Sequence, residues 1–441
     1  MRHSLLPEKL PKISYGIRQI VSKGFERENL GYPVIWENIG DPVQKGLQLP
    51  EWMREIVAEQ IKDNSTYGYC DSKGIQDTRE FLAQKTNSYG GQQITKDDIT
   101  FFNGLGDAIA RFYSLLSADT RVLMPSPTYP AHTGAEKLRI NSAPLTYDLD
   151  PENGWLPDTD SVRRMVEEHK EISSILIINP DNPTGMVYPK KVLSEMVQIA
   201  RENDLFIVAD EIYENLVHNG KMVRIAEVIG EVPALVMKGI SKEIPWPGSR
   251  CGWVEYYNRG GDETFNKLCT RIDECKMTEV CSTTLPQKVL PYIYTHQSYQ
   301  SFLEGRKQNI STRVNLLKSR IENLDGISCS GADGAFYATL HATSSITVSD
   351  IELDMLTEVQ QNLFRSWTEN FDEKPDLYLA YYLLAGAGVC TVPLSGFNSN
   401  IPGIRITLLE QNLDKFEYML DQLMFGLGSV FNRKGSLIQA G

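Results

Sequence analysis

The sequence lacks any apolar run long enough to cross a membrane. Over 441 residues, no apolar stretch approaches the roughly 20 residues that span a bilayer. Residues 1–7 also lack the apolar core of a signal peptide. Basic residues are in the minority, since 44 lysines and arginines stand against 57 aspartates and glutamates, and the formal net charge is −13. Such a chain favours neither nucleic-acid nor anionic-membrane binding, and we expect a cytoplasmic protein.

Metal-ligand patterns are missing as well. The seven cysteines, an odd number, fit a reducing compartment better than a disulfide framework. Cys269, Cys275 and Cys281 are evenly spaced, but no close cysteine or histidine pair accompanies them. The six histidines are scattered and form no HExxH pattern, so we expect them to be surface or core residues. The sequence therefore predicts no metal site.

Apolar, strand-like runs alternate with helical periodicities between about residues 65 and 260. This alternation predicts an α/β fold in which a mostly parallel sheet is covered by helices on both faces. In such sheets, ligands bind beyond the carboxyl ends of the strands. We predict that this large domain comprises residues 65–299.

From about residue 300 the pattern changes to long helices mixed with short strands. We expect one of these helices over residues 351–370 and one of the strands over residues 334–338. The pattern predicts a second, smaller α+β domain built from both termini, residues 1–64 and 300–441.

Residues suited to hold pyridoxal phosphate (PLP) occur where predicted strands end. Asp210 and Tyr213 lie in the segment IVADEIY, and Lys242 and Arg250 follow in GISK and PGSRCG. PLP requires an amine to hold its aldehyde as a Schiff base, a carboxylate to keep its ring nitrogen protonated, and a fixed cation for its phosphate. A lysine amine suits the first task because desolvation or cationic neighbours make it nucleophilic. Lys242, Asp210 and Arg250 are the candidates for these three tasks.

These motifs, with NPDNPTG at residues 179–185, resemble those of the class I and II aminotransferases, which are fold type I PLP-dependent enzymes. The matching motifs begin at the Gly40-Asp41-Pro42 segment and end at Arg405, so they cover most of the chain. The resemblance implies a large PLP-binding domain with a smaller α+β domain, as the alternation of elements also predicts.

The resemblance also assigns cofactor contacts. It implies that Lys242 forms the Schiff base, that Arg250 binds the phosphate, and that Asp210 pairs with the ring nitrogen. Tyr213 and Asn182 match the residues that hydrogen-bond the ring hydroxylate, and Asn182 is also a candidate for substrate binding. Taken alone, an aspartate after a strand is often a helix N-cap, and Asn-Pro is often a turn.

The segment Gly104-Leu105-Gly106 precedes a helical pattern and resembles the family's glycine loop. A helix N-terminus offers free amides to a phosphate, and those of Leu105 and Gly106 are the expected donors. Tyr129 matches the aromatic residue that stacks on the PLP ring.

The chain departs from the family at one phosphate ligand. Many members have a serine where Gly239 stands here, three residues before the lysine. We therefore expect phosphate binding to depend on Ser241, Arg250 and the loop amides.

Tyr69 lies five residues before Gly74, as does the family tyrosine that reaches the phosphate in the neighbouring subunit. Tyr67 is close enough to be an alternative. Either match implies a homodimer with shared active sites.

For the substrate, Arg405 in the segment GIRIT matches the arginine that binds the α-carboxylate bidentately. Gly40 matches a residue whose backbone approaches the same carboxylate. Enzymes for dicarboxylic substrates often add an arginine just before the segment that reads CSTT here, and only Lys276 is nearby. We therefore expect donors with neutral or apolar side chains to be accepted at least as well as aspartate.

The resemblance implies an aminotransferase that moves an amino group from an L-amino acid to a 2-oxo acid through pyridoxamine phosphate. Lys242 is the expected base that takes the Cα proton. Two alternatives stay open. A lyase or decarboxylase would use the same electron sink. A non-catalytic PLP-binding regulator would need a DNA-binding module, for which the roughly 60 residues ahead of the site leave little room.

Overall fold

The computed structural model describes residues 16–369 and 374–438. Its strands, in chain order, are β1 (Ile35–Trp36), β2 (Ile99–Asn103), β3 (Arg121–Ser126), β4 (Leu145–Asp150), β5 (Leu156–Pro157), β6 (Ile172–Ile178), β7 (Phe206–Asp210), β8 (Ala234–Gly239), β9 (Cys251–Tyr257), β10 (Ile327–Ser328), β11 (Tyr337–Ala342), β12 (Val389–Cys390), β13 (Val392–Pro393) and β14 (Gly403–Thr407).

The α-helices, in chain order, are α1 (Gly16–Asn29), α2 (Glu51–Gln60), α3 (Gln76–Asn87), α4 (Leu105–Leu115), α5 (Pro130–Ile140), α6 (Thr159–Glu168), α7 (Lys190–Glu202), α8 (Glu263–Glu279), α9 (Thr284–Thr295), α10 (Tyr299–Ile321), α11 (Glu358–Thr368), α12 (Pro375–Gly386) and α13 (Leu413–Ile438). Among these helices, none is both long enough and apolar enough to cross a membrane.

The large sheet has the strand order β2-β9-β8-β7-β6-β3-β4-β5. Strands β8, β7, β6, β3 and β4 pair in parallel, whereas β9 is antiparallel to both of its neighbours and β5 is antiparallel to β4. Because the central strands are parallel, their carboxyl ends meet at one edge of the sheet. Asp210 ends β7 and Gly239 ends β8, so the segments with the predicted cofactor residues start at that edge.

Helices cover both faces of this sheet. Ile175 and Ile177 of β6 pack into one apolar cluster, together with residues of α3, α6, α7 and α9. The alternating residues, Leu176 and Ile178, pack into a second cluster with residues of α4 and α8. A strand that is buried on both faces reads as a continuous apolar run, as residues 175–178 of β6 do. The predicted α/β architecture is confirmed.

The second sheet is antiparallel, with the order β10-β11-β14-β13, and β1 pairs in parallel with β12 beside it. Its apolar cluster contains Ile20 of α1 together with residues of α10, α12 and α13, so both ends of the chain contribute. The smaller α+β part is thus present. The division at residues 64/65 and 299/300 stays a prediction.

Two predicted elements are wrong in their bounds. The helix predicted over residues 351–370 begins at Glu358, because Thr357 caps it in a capping box with Gln360. Its last predicted residue, Asn370, lies outside the described residues. The strand predicted over residues 334–338 begins at Tyr337, because Ala335 has a left-handed φ of 56°, which an extended strand does not admit.

Candidate active site

A cavity of about 510 Å³ opens at the carboxyl edge of the large sheet. It brings together most of the residues predicted from sequence, and its lining includes Gly40, Leu105, Gly106, Tyr129, Asn182, Asp210, Tyr213, Ser241, Lys242, Arg250 and Arg405. Residues that were not predicted also line it, among them Asn38 and Tyr337. The site is therefore formed jointly by the large sheet, the segment around residue 40, and the antiparallel sheet.

Lys242 is half-buried at one side of this cavity, three residues beyond the end of β8. Its Nζ donates a hydrogen bond of 2.9 Å to the carbonyl oxygen of Gly40 and lies 5.7 Å from the ring centre of Phe336. Arg306 of α10 fixes the backbone behind it, because its Nη1 donates to the carbonyl oxygen of Lys242 at 2.6 Å. The amine is thus held at the cavity by a carbonyl group.

A second lysine of the same segment, Lys238, has different surroundings. Its Nζ lies within 3.3 to 3.5 Å of carboxylate oxygens of Glu214, Glu255 and Glu211, and its side chain is 3% exposed. Burial alone would lower the pKa of Lys238, but the three carboxylates raise it well above its ordinary value. Lys238 is therefore a permanent cation within the protein.

Asp210 is buried at the end of β7, with 3% of its surface exposed. Its Oδ1 accepts a hydrogen bond from the amide of Ile212 at 3.1 Å, and its Oδ2 lies 3.4 Å from Nε2 of His132. The other ring nitrogen of His132, Nδ1, lies 3.4 Å from the hydroxyl of Tyr113. This arrangement holds one carboxylate oxygen in place and gives the other an imidazole partner.

Sequence reasoning placed His132 only among the surface or core residues. The residue is fully buried, which agrees with that expectation, but it also contacts the predicted cofactor carboxylate. The available signal was its position three residues after Tyr129 at the start of α5, because residues three apart share a helix face. The ring centres of Tyr129 and His132 are 6.4 Å apart.

The hydroxyl of Tyr213 donates to the hydroxyl of Tyr337 on β11 at 3.1 Å. Burial, followed by the neighbouring Tyr337, raises the pKa of Tyr213 well above its ordinary value, so its hydroxyl remains a proton donor. Tyr337 also explains why residue 40 is a glycine, because a Cβ atom there would lie only 2.4 Å from the hydroxyl oxygen of Tyr337. A side chain at residue 40 would therefore collide with the cavity wall.

Gly104 allows Arg250 to approach the N-terminus of α4. Gly104 has a φ of 81°, and a Cβ atom there would lie 2.6 Å from Nη2 of Arg250. Leu105 and Gly106 begin the helix next to this guanidinium. Amides of a helix N-terminus together with an arginine form an anion site, so this end of the cavity suits a phosphate.

Gly239, which stands where many family members have a serine, lies close to the backbone of the adjacent strand. A Cβ atom at Gly239 would lie 3.0 Å from the carbonyl oxygen of Cys251 and 3.1 Å from Cα of Gly252, both on the adjacent strand β9. A side chain there would be crowded by the backbone. Ser241, two residues on, is half-buried and lines the cavity.

Asn182 is 4% exposed, and its Oδ1 has no hydrogen-bond partner among the residues that the structure describes. A buried polar atom without a partner is costly, so it indicates that another group completes the site. Burial raises the pKa of the neighbouring Asp181 to about 7, although hydrogen bonds from Thr184 oppose this shift.

Arg405 lies on β14 and is 3% exposed. Its Nη2 donates to the carbonyl oxygen of Asn38 at 2.6 Å, and its guanidinium carbon lies 4.5 Å from the ring centre of Tyr337. A guanidinium that lies over an aromatic ring and donates to a backbone carbonyl is preorganised to receive a planar carboxylate.

The two tyrosines expected to reach a neighbouring subunit do not line this cavity. Tyr69 is 85% exposed and Tyr67 is 72% exposed, and the hydroxyl of Tyr67 donates to the carbonyl oxygen of Ile61 at 2.7 Å. Lys276, the cation nearest to the absent second arginine, is fully buried and ion-paired with Asp107 and Glu279. It is therefore a structural cation of α8.

The arrangement satisfies the demands that PLP makes on a protein. The described cavity contains an amine, a buried carboxylate, and an arginine beside helix amides. The buried Oδ1 of Asn182 lacks a partner, as expected of an atom that hydrogen-bonds a bound group. The residues present therefore fit this cofactor.

Comparison with known proteins gives a consistent result. The model of the family "Aminotransferase class I and II" matches residues 34–423. An uncharacterized aminotransferase of Methanocaldococcus jannaschii is 46% identical over 96% of this chain and 98% of its own length. The glutamate-pyruvate aminotransferase AlaA of Escherichia coli is 31% identical over 75% of this chain and 80% of its own.

Solved structures show the same fold. An alanine aminotransferase from Pyrococcus furiosus superposes with a TM-score of 0.82 at 26% identity, covering 94% of this chain and 98% of that one. A Thermus thermophilus aspartate aminotransferase mutant has a TM-score of 0.78 at 22% identity, over 97% of this chain and 100% of that one, and shares the fold. The fold, the match over most of the chain and the close relatives together place this chain in the class I and II aminotransferases.

Proposed function

We propose that the cavity binds PLP and that the protein transfers the amino group of an L-amino acid to a 2-oxo acid with Lys242 as its proton carrier. The observation that carries this assignment is the contrast between two lysines of one segment. Lys242 contacts a carbonyl group at the cavity, whereas Lys238 is enclosed by three carboxylates. An amine that is to act as a nucleophile and base must be able to lose its proton, which the environment of Lys238 prevents.

The remaining contacts would hold the cofactor at its ends and faces. Arg250 and the amides of Leu105 and Gly106 would bind the phosphate, with Ser241 as a further donor. Tyr213 and Asn182 would hydrogen-bond the ring oxygen, and Tyr129 would stack on the ring. These roles are supported by the cavity lining and by the family resemblance.

PLP, when bound, supplies an electron sink for the pair of electrons released at the substrate Cα. Asp210 would keep the ring nitrogen protonated, and His132 would hold the carboxylate in the required orientation. Lys242 would take the proton from the substrate Cα and return it to the C4′ carbon of the cofactor. Arg405 would bind the α-carboxylate bidentately, beside the backbone of Gly40.

For the substrates, we propose donors with small neutral side chains, such as alanine, with glutamate as a further donor. Support comes from the relatives, two of which are named as alanine and glutamate-pyruvate aminotransferases. Lys276 does not supply the second cation that a dicarboxylate site needs, because it is buried and paired with Asp107 and Glu279. A side-chain carboxylate would therefore have to find another partner.

The active unit that we propose is a cytoplasmic homodimer. The exposed surface around α2, α8 and α9 carries large apolar side chains, namely Ile61, Tyr67, Tyr69, Met277, Val280 and Tyr292. Exposed apolar groups that cluster in this way favour a protein partner. A second copy of the chain would cover them and would bring Tyr69 or Tyr67 to the other cofactor.

The test is a half-reaction. The purified protein with PLP is mixed with alanine and no 2-oxo acid, and the absorbance of the cofactor is followed. A transaminase converts its cofactor once and stops until pyruvate or 2-oxoglutarate is added. Sustained release of ammonia or carbon dioxide without an acceptor would instead indicate a lyase or a decarboxylase and would overturn the proposal.

A further inference from the structure

A buried ion pair supports one wall of the cavity. We call residues 36–45, from Trp36 to Lys45, the wall segment. Lys45 Nζ lies 2.6 Å from Oε1 of Glu37, and the two side chains are only 7% and 1% exposed. The same Nζ donates to the carbonyl oxygen of Trp36 at 3.0 Å. Lys45 therefore ties the end of the wall segment back to its beginning.

The wall segment supplies two carbonyl groups to the proposed active site. The carbonyl oxygen of Gly40 accepts from Lys242 at 2.9 Å, and that of Asn38 accepts from Arg405 at 2.6 Å. Lys242 is the predicted proton carrier, and Arg405 is the predicted ligand of the substrate carboxylate. The position of this short segment consequently affects where the ends of both side chains lie.

Glu37 joins the wall segment to the strand that carries Arg405. Its Oε2 accepts from the Thr407 hydroxyl at 2.8 Å, and its carbonyl oxygen accepts from the Thr407 amide at 3.0 Å. Its amide donates to the carbonyl oxygen of Cys390 at 3.0 Å. Glu37 thus links Lys45 to β14 through both of its carboxylate oxygens.

Stability alone is a weak reason to bury such a pair. The cost of removing two charges from water often exceeds their attraction, and apolar replacements are frequently neutral or stabilising. A buried pair can instead select one arrangement of the chain, because it is satisfied only when both partners lie at the correct distance. Here that arrangement is the one in which Asn38 and Gly40 contact Arg405 and Lys242.

We propose that Lys45 and Glu37 are positioning residues, which hold the wall segment so that Arg405 and the Gly40 backbone meet the substrate carboxylate. The inference rests on the proposed function of this site. Neither side chain lines the cavity, so both act through the wall segment. Their loss should weaken substrate binding through Arg405, whereas Lys242 should keep most of its proton transfer because Arg306 also fixes its backbone.

The test is the double variant Lys45→Met with Glu37→Gln, measured as the PLP-loaded enzyme. The double variant removes both charges, so no unpaired buried carboxylate remains to unfold the protein. We expect KM for alanine to rise about tenfold, which corresponds to about 1.4 kcal/mol, with kcat changed by less than about threefold. Glu37→Gln alone leaves the buried Lys45 ammonium without its carboxylate, so we expect KM to rise in the same direction and the protein to be less stable than the double variant.

The control is Lys267→Met, which breaks an exposed ion pair of the same 2.6 Å length with Glu263. It should leave KM and kcat unchanged. A double variant that folds and keeps the wild-type KM would overturn the proposal, since a merely structural pair predicts that result.

A second measurement separates this proposal from the proposed function. Hydrogen exchange of the backbone amides in residues 37–46 should accelerate in the double variant and not in Lys267→Met. If the wild-type protein does not transaminate, the proposed function fails, and exchange still reports on the wall segment. Unchanged exchange in the double variant would overturn the positioning role independently of any activity.

Discussion

Lys238 and Lys242 belong to the same short segment at the end of β8, yet their environments are opposite. Lys238 is surrounded by Glu211, Glu214 and Glu255, and it cannot give up its proton at neutral pH. Lys242 donates to one carbonyl oxygen, that of Gly40, and faces a cavity of about 510 Å³. The comparison shows that position along the chain does not by itself distinguish a reactive lysine from a structural one. The groups around the amine make the difference.

The acidic residues at the end of β7 and just after it also differ in their surroundings, since some face the cavity and others face Lys238. Asp210 lines the cavity and contacts His132, whereas the adjacent Glu211 lies against Lys238. Tyr213, three residues after Asp210, lines the cavity. Glu214, three residues after Glu211, contacts Lys238 and also pairs with Arg224 at 2.6 Å. Successive residues therefore serve the site and its supporting cluster in turn.

The largest expected effect is that of Lys242→Ala. Loss of the proposed proton carrier should lower kcat by about 10³-fold or more, within the usual range for a general base combined with a nucleophile. The stability of the folded protein should change little, because Lys242 forms one hydrogen bond and no ion pair within the described residues. Steady-state kinetics and urea unfolding measure the two quantities, and near-normal turnover would remove Lys242 from the mechanism.

Lys238→Met should have the reverse profile. Removal of the cation leaves the buried Glu211 and Glu255 without their ion-pair partner, whereas Glu214 keeps Arg224, and the free energy of unfolding should fall by about 3–5 kcal/mol. Urea unfolding at pH 8 measures this loss, with Lys267→Met as a control for an exposed pair. A variant that stays stable but loses its turnover would break the comparison between the two lysines.

Asp210→Asn should reduce turnover by about 10²-fold, the range expected when a preorganised charge is removed from an active site. The variant should fold normally, since an amide can still accept from Ile212 at the same position. Because proton abstraction is the step that slows, deuterium at the substrate Cα should produce a larger isotope effect than in the wild type. Equal turnover of Asp210→Asn and the wild type would contradict the proposed role.

The smallest effect concerns Glu211 and pH. Burial, opposed by Lys238, raises the pKa of Glu211 to about 7. The folded protein therefore binds this proton more tightly than the unfolded chain does, and the resulting stability is lost as pH rises from about 4.5 towards 7. In Glu211→Gln this part of the pH dependence should disappear. The measurement is the free energy of unfolding of both proteins between pH 5 and 8. If its dependence on pH is the same in Glu211→Gln and in the wild type, the raised pKa of Glu211 is contradicted.

Much of the fold and the site was predictable because it depends on local order along the chain. Residues 175–178 of β6 and 206–209 of β7 are continuous apolar runs, and the residues that follow these runs fall at one sheet edge by topology alone. Lys242, Asp210 and Arg250 were predicted in this way and Asn182 through the resemblance to the family, and all four line the cavity. Their roles stay predictions until a cofactor is bound.

Other residues depend on contacts between distant parts of the chain. Tyr337 reaches Tyr213 across 124 positions, and Arg405 reaches Asn38 across 367, so neither contact leaves a local signal. The late start of α11 was missed because a capping box at Thr357 outweighed the helical periodicity before it. The role predicted for Tyr69 requires a second subunit, and it stays a prediction.

The most direct test of the account is chemical trapping of the cofactor. The PLP-loaded protein is reduced with borohydride, digested, and mapped by mass spectrometry. The account predicts a pyridoxyl group on Lys242 and none on Lys238, in both the wild type and Lys267→Met. A pyridoxyl group on Lys238, or on any lysine other than Lys242, would contradict the central claim.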